Sequence, residues 1–228
     1  MNKTAASMLA LFLTAAGSAG AQVPPGASEM AAYTGLFAAA ARGDAAEINR
    51  LAAGGADVNG RESYGRTPLH VATFGRHRDA IASLAKTRAD LNAKERDRYD
   101  AVTIAAVADD PATLKLLLQI GASAKQTTSR YDGTALIAAA HLGHDAVVNL
   151  LIDAGAPLDH VNNLGWTALI ESIVLGRGGP RHVETLRALV RAGANVNLAD
   201  RNGQTPLQLA RQRGYQAMVA ILEQAGAK

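Results

Sequence analysis

The chain has 228 residues, of which 48% are hydrophobic, 19% charged and 4% aromatic. This is the composition of a folded globular protein, and a net charge of +3 does not indicate nucleic-acid binding without a clustered basic face. The sequence contains no cysteine, which excludes disulfides, thiol catalysis, zinc–thiolate sites and cysteine lipidation.

The first 21 residues have the organisation of a secretory signal peptide. Lys3 precedes an apolar run of twelve residues, 5–16, and Ala19-Gly20-Ala21 matches the small-x-small pattern of a cleavage site. The run is shorter than the ~20 residues that span a bilayer, which argues against an uncleaved anchor. We therefore expect cleavage after Ala21, a periplasmic location, and a mature protein without a membrane span.

Residues 22–30 (QVPPGASEM) predict a short flexible lead, after which the sequence repeats. The six repeats start at Thr34, Thr67, Asp100, Thr134, Thr167 and Thr205, with spacings of 33, 33, 34, 33 and 38 residues. A Gly-Ala pair follows most starts by 21 residues, but in the fifth repeat it follows by 26 residues. The five extra residues of that repeat fall within Gly176–His182. A fixed period of this length is the signature of a repeat architecture.

Residues 67–72 read T-P-L-H-V-A, and the other repeats carry partial versions of this pattern. The sequence resembles the ankyrin repeat family over about residues 31–228, which we predict to be one ankyrin repeat domain. The resemblance implies an all-α fold, an α-solenoid of about six helix–turn–helix pairs joined by β-hairpin-like fingers. Neighbouring repeats stack because no single repeat buries both of its faces.

The repeat starts have the chemistry of helix N-termini. A threonine hydroxyl or the carboxylate of Asp100 can cap a helix, and Pro68 and Pro206 suit the first helical position. We also expect Asp110 to cap a second helix, with Pro111 following it. The resemblance implies that His70 is structural and bonds a neighbouring finger.

No motif in the sequence indicates catalysis, a cofactor or a metal. The GRGG segment at 176–179 joins two helices and follows no strand, so it does not predict a phosphate loop. Glu171 is expected to bond Arg177 or His182 rather than to act as an acid or base. We therefore predict a protein that is not an enzyme. The alternative is a metal-binding or catalytic solenoid that uses His141, His144, Glu171 and His182.

The resemblance implies that partners dock on the concave surface formed by the fingers and the first helices. Its register places there the residues four, three and one before each start, and seven and eight after it. Six of the eight aromatic residues after residue 21 fall on these positions. Tyrosine, tryptophan and arginine are enriched at binding hot spots. The predicted partner-binding residues are Tyr33, Tyr64, Arg66, Phe74, Arg96, Tyr99, Arg130, Tyr131, His141 and Trp166.

An alternative is that the tyrosines at repeat junctions pack neighbouring fingers and bind nothing. The glycine-rich insertion also allows two interpretations. It is either a tolerated surface insertion or a loop that shapes a partner site beside Trp166. We expect a non-enzymatic scaffold that binds another protein, with neither a cofactor nor nucleic acid as partner. The resemblance to small exported bacterial ankyrin proteins implies an accessory role beside a periplasmic enzyme of stress defence.

Overall fold

A computed structural model describes residues 22–228, and the predicted signal peptide lies outside the described residues. In residues 22–228 the helices are α1 (Ala27–Ala32), α2 (Gly35–Arg42), α3 (Ala45–Ala53), α4 (Pro68–Phe74), α5 (Arg78–Lys86), α6 (Ala101–Val107), α7 (Pro111–Gln119), α8 (Ala135–Leu142), α9 (Asp145–Asp153), α10 (Ala168–Val174), α11 (Pro180–Arg191), α12 (Pro206–Gln212) and α13 (Gln216–Gln224). Two short strands, β1 (Thr127–Thr128) and β2 (Gly133–Thr134), pair antiparallel in the fourth finger. None of these helices is long and apolar enough to cross a membrane.

The helices form two stacked layers, which confirms the predicted solenoid. The first helices α2, α4, α6, α8, α10 and α12 pack side by side, and so do the second helices α3, α5, α7, α9, α11 and α13. The first helices approach closely because the fifth residue after each start is small and buried. These residues are Ala39, Ala72, Ala105, Ala139, Ser172 and Ala210.

The predicted helix caps are confirmed at several starts. Asp100 Oδ1 accepts the backbone N–H of Thr103 at 2.8 Å, so this aspartate replaces the usual threonine. Thr134 and Thr167 cap α8 and α10 in the same way. Asp110 caps α7, where Pro111 occupies the first turn. Each cap satisfies a backbone donor that the helix leaves free.

The fingers share one hydrogen-bonding pattern, in which the side chain five residues before the next start accepts backbone N–H groups of the same finger. In the second finger, Glu62 Oε1 accepts the backbone N–H groups of Tyr64 and Arg66 at 2.9 and 3.0 Å. Glu95 and Asp200 hold the third and sixth fingers in a similar way. These hydrogen bonds hold the residue three positions before each start at the tip of its finger.

The insertion in the fifth repeat lengthens a helix as well as a loop. Helix α11 has 12 residues, whereas the second helix of the fourth repeat has nine. His182 Nε2 lies 3.0 Å from the carbonyl oxygen of His141, as His77 Nε2 lies 3.0 Å from that of Ala41. Because His182 keeps the register of His77, the extra residues lie before it, in the linker and the first turn of α11.

The expected flexible lead overlaps a helix. Residues 27–32 form α1, and Glu29 in its first turn accepts the backbone N–H of Gly26 at 2.8 Å. Pro25 is buried. The segment before the first repeat is therefore packed on the solenoid.

Candidate partner-binding surface

Three finger tips expose large apolar side chains at the same position of the repeat. Tyr64, Tyr131 and Leu164 each lie three residues before a start and are 37%, 36% and 41% exposed. In the third finger the equivalent residue is Asp97, and in the sixth it is Asn202. The tips of the second, fourth and fifth fingers form an apolar row, which we call the tip row (Tyr64, Tyr131 and Leu164).

Two exposed arginines connect successive fingers beside this row. Arg96 donates to the carbonyl oxygen of Ser63, and its guanidinium carbon lies 5.1 Å from the ring centre of Tyr64. Arg130 forms an ion pair with Asp97 of the preceding finger. Both predicted residues therefore lie at the finger surface, where planar guanidinium groups are available for further contacts.

The prediction that Arg66 faces the groove is wrong, because its side chain is only 1% exposed. Arg66 Nη2 donates to the carbonyl oxygen of Val23 at 3.0 Å, and Nη1 lies 3.4 Å from Glu29 Oε1. Its guanidinium carbon lies 4.5 Å from the ring centre of Tyr64. The segment before the first repeat covers this arginine, so it supports Tyr64 from beneath.

Residues one position before a start lie at the finger base and pack between repeats. Tyr99 is only 8% exposed, so its predicted exposure in the groove is also wrong. Tyr33 is half-buried, and its ring centre lies 5.5 Å from that of Phe37. Burial raises the pKa of both tyrosines above the ordinary value. Trp166 is half-buried too, and the packing explanation fits this position better than it fits the tips.

The groove floor is formed by the ends of the first helices. Phe74 is half-buried at the end of α4, and His141 and Leu142 are exposed at the end of α8. These positions lie seven and eight residues after a start, as the register predicts. Phe74 and His141 thus remain candidates for partner contact.

His141 lies against a buried carboxylate of the next repeat. Its Nδ1 atom is 3.4 Å from Glu171 Oε2, and the Glu171 side chain is only 6% exposed. The other oxygen, Oε1, accepts a hydrogen bond from Asn162 Nδ2 at 2.7 Å. Glu171 therefore accepts a hydrogen bond from Asn162 and lies beside His141, and the expected bond to Arg177 or His182 is not formed.

The four residues of the metal-binding alternative do not converge. His144 Nδ1 lies 2.9 Å from the carbonyl oxygen of Ala106, and His182 Nε2 bonds the carbonyl oxygen of His141. Each of these rings thus links one repeat to the preceding one. Within residues 22–228, no three histidine, cysteine, aspartate or glutamate side chains are placed to hold a metal ion.

Sequence reasoning missed the contact between Asn162 and Glu171. One signal was available, because the second, third and sixth fingers carry Glu62, Glu95 and Asp200 at the position that Asn162 occupies in the fifth. An amide there keeps the acceptor that the finger needs and adds a donor. The sequence does not say which acidic group receives that donor, because the partner residue lies on a helix nine residues away.

Comparisons with known proteins agree with this architecture. The family model for ankyrin repeats (3 copies) matches residues 6–95 and 102–200. YahD, an ankyrin repeat protein of Escherichia coli K12, is 31% identical over 190 residues, which cover 83% of this chain and 94% of that protein. The crystal structure of an ankyrin repeat domain from Acinetobacter baumannii AYE has a TM-score of 0.80 at 42% identity, and the match covers 85% of this chain and 98% of that one.

The ankyrin repeat domain of Bcl-3 superposes with a TM-score of 0.76 at 28% identity, covering 86% of this chain and 88% of the Bcl-3 chain. The family match covers most of the present sequence, and the solved structures share its repeat stack. The chain therefore belongs to the ankyrin repeat family.

Proposed function

We propose that this chain is a non-enzymatic scaffold that docks a partner protein on the tip row and the groove beside it. Ankyrin repeats are protein-binding scaffolds. The observation that carries the proposal is the repetition of an exposed apolar side chain at one register position in three fingers. Isolated surface apolar residues are ordinary, but an ordered set of them on one edge is typical of an interaction site.

The neighbours of the tip row suit a protein partner. Arg96 and Arg130 are exposed between the tips and add polar contacts at the rim. Tyrosine buries a large flat surface with few rotatable bonds to fix, and arginine adds a planar group for stacking and forked hydrogen bonds, which favours both at interfaces. The stacked repeats hold the fingers in place, so docking needs little rearrangement of the scaffold.

The predicted signal peptide supports export, and we propose that the protein acts in the periplasm. The absence of cysteine makes the chain indifferent to an oxidising compartment. The proposed role is that of an accessory to a periplasmic enzyme, in keeping with the expectation of stress defence.

The test of this proposal is affinity capture from a periplasmic extract. The bait is the purified protein, compared with a triple variant Tyr64→Ala, Tyr131→Ala, Leu164→Ala. A matched control carries three alanine substitutions at exposed positions of the second helices, Lys115, Asn149 and Glu184. We expect one partner to be retained by the wild type and the control but lost by the tip variant. A partner that all three baits retain would contradict docking at the tips.

The metal-binding alternative is tested on the same preparation. The purified protein is analysed for metals and screened for metal-dependent hydrolysis. Only a stoichiometric ion or a measurable activity would support the metal-binding alternative. The contact between His141 and Glu171 alone supplies two ligands, whereas a protein metal site of the zinc type uses three or four.

A further inference from the structure

Glu171 is a charged residue at a position that is apolar in the other described repeats. It lies four residues after its start in α10, a helix whose residues are all buried, and is only 5% exposed. The equivalent residues in the second, third, fourth and sixth repeats are Val71, Ile104, Ala138 and Leu209. Burying an ionised carboxylate costs free energy unless it is paired and hydrogen-bonded. This position therefore sacrifices stability that an apolar residue would provide.

The contacts of Glu171 leave its charge without a cationic side chain. Both backbone donors of Leu164 and Trp166 bond Asn162 Oδ1 at 3.0 Å, so the amide nitrogen of Asn162 must face Glu171. That donor satisfies Oε1. The second oxygen has only His141 Nδ1 at 3.4 Å, and within residues 22–228 Glu171 forms an ion pair with no lysine or arginine.

His141 connects this buried carboxylate to the groove. Its side chain is 45% exposed, and it lies on the groove floor at the end of α8. In the neutral tautomer that carries its hydrogen on Nδ1, this N–H faces Glu171 Oε2, the carboxylate stays charged, and the other nitrogen, Nε2, is an acceptor that points away from the carboxylate. The pair then presents a hydrogen-bond acceptor backed by a negative charge.

The fourth and fifth repeats, which carry this pair, also carry most of the exposed large apolar side chains of the described residues. Of the seven large hydrophobic residues that are exposed, four lie between residues 131 and 164. They are Tyr131, Leu142, Val161 and Leu164. Trp166 adds a half-buried indole whose backbone is bonded to Asn162. Aromatic faces attract cations, so the exposed apolar and aromatic residues of these two repeats suit the flat or aliphatic parts of a long basic side chain.

We infer that the pair His141–Glu171 is the docking site for a lysine or arginine side chain of the protein partner. This inference rests on the proposed function and adds the chemistry of the partner. The cation bonds His141 Nε2 and compensates the charge of Glu171, while its aliphatic stem lies against Leu142 and the finger of the fifth repeat. A charge pair in a partly desolvated groove is stronger than one in open water, so this contact selects a basic residue at one place on the partner.

The experiment uses Trp166, the only tryptophan of the chain, as a fluorescent reporter. The probe is the peptide acetyl-Leu-Arg-Leu-amide, and its control is the same peptide with citrulline, a neutral isostere, in place of arginine. We expect the arginine peptide to change the Trp166 emission saturably and to bind at least about tenfold more tightly than the citrulline peptide. Equal affinities of the two peptides for the wild-type protein would overturn the inference.

A variant then assigns the effect to Glu171. Glu171→Gln keeps an acceptor for Asn162 and removes the charge, so we expect it to melt no lower than the wild type and to lose the preference for arginine. Glu184→Gln removes one charge from an exposed site on α11 and should keep that preference. A Glu171→Gln variant that keeps the preference, or that is markedly destabilised, would identify Glu171 as a structural residue and overturn the inference.

These outcomes are separable from those of the proposed function. Loss of partner capture by the tip variant with no arginine preference would retain the scaffold and reject the basic anchor. An arginine preference without capture at the tips would retain the cation site and reject docking on the tip row.

Discussion

Arg181 reaches across two repeats to Asp109, 72 residues earlier in the sequence. The Nη1 and Nη2 atoms of Arg181 lie 2.8 and 3.1 Å from the two carboxylate oxygens of Asp109, and Nε lies 2.9 Å from Asp145 Oδ1. One guanidinium on α11 thus joins the third, fourth and fifth repeats. The extra turn of α11 carries this arginine, which gives the insertion a structural use.

We expect Arg181→Met to lower the free energy of unfolding by about 1 kcal/mol, since the bonds are bidentate and form a network but remain partly exposed. The methionine keeps the aliphatic packing, so the loss reports the charge. Urea denaturation at low salt measures it. Arg187→Met, which removes an arginine from a local pair with Glu184, is the control and should cost less.

The same contact predicts an acid dependence. Hydrogen bonding from Arg181 lowers the pKa of Asp109 below its ordinary value of 3.8, so this contribution to stability is present above pH 3.8 and is lost as the pH falls through the folded pKa. The Arg181→Met variant should therefore differ from the wild type at neutral pH and converge with it in acid. A difference that persists unchanged at low pH would exclude Asp109 as the partner that matters.

His70 predicts a second pH dependence. Burial lowers its pKa from 6.5 to about 4, and Nδ1 accepts the backbone N–H of Thr67 at 3.0 Å. Below pH 6.5 the unfolded chain binds a proton that the folded chain does not, so stability falls until the pH reaches about 4.

We expect His70→Gln to remove much of this dependence while keeping the helix cap. Gln208 shows that glutamine fits the position, because its Oε1 atom accepts the backbone N–H of Thr205 at 3.0 Å in the sixth repeat. Thermal melts of both proteins between pH 7 and 4 measure the effect. If the two melting curves fall in parallel over this range, other groups are responsible.

Asn162 is predicted to be required as an amide. Asn162→Asp keeps the oxygen that holds the finger but places a second carboxylate beside buried Glu171, so it should destabilise the chain by about 2–3 kcal/mol at neutral pH. Combining it with Glu171→Gln should restore most of the loss, because the glutamine amide can donate to the new carboxylate. Chemical denaturation of the wild type, the two single variants and the double variant gives the unfolding free energies for a complete double-mutant cycle.

The sixth finger supplies the control for that cycle. Asp200 performs the same finger-holding role without a buried acid beside it, so Asp200→Asn should change stability little. Were Asn162→Asp no worse than Asp200→Asn, the proposed conflict with Glu171 would be absent.

Alanine substitutions at two glycines of the insertion should have different effects on stability. A Cβ on Gly176 would lie 1.9 Å from the carbonyl oxygen of Ser172, whereas a Cβ on Gly179 would meet nothing within 4 Å. We expect Gly176→Ala to lower the melting temperature by several degrees, because backbone must move to accept it. Gly179→Ala should leave the melting temperature close to that of the wild type. Differential scanning calorimetry compares the two, and equal melting temperatures would show that the linker adapts freely.

The sequence predicted the repeat architecture because its period, caps and small residues act locally. The side chains of Thr134 and Asp100 accept backbone N–H groups only three residues further along the chain, and Ala139 is buried because neighbouring first helices stack against it. The tip positions of Tyr64 and Tyr131 also followed from register, since each finger has the same turn geometry. Such features need only short-range information.

The contacts between distant side chains could not be derived in this way. Arg66 is at a register position expected to face the groove, but the segment that buries it lies about 40 residues earlier, outside the repeat pattern. Arg181 meets Asp109 from the first turn of α11, which the insertion lengthens. Breaks in periodicity carry no general rule for where their side chains point, and the structure is needed to place them.

The most direct test of the account measures the affinity of the captured partner for the purified chain by titration calorimetry. The tip variant (Tyr64→Ala, Tyr131→Ala, Leu164→Ala) is compared with the control altered at Lys115, Asn149 and Glu184, after circular dichroism has shown both to be folded. Because buried anchor residues carry most of the energy of an interface, we expect at least about a hundredfold weaker binding for the tip variant and an unchanged dissociation constant for the control. Equal dissociation constants for the two variants would contradict it.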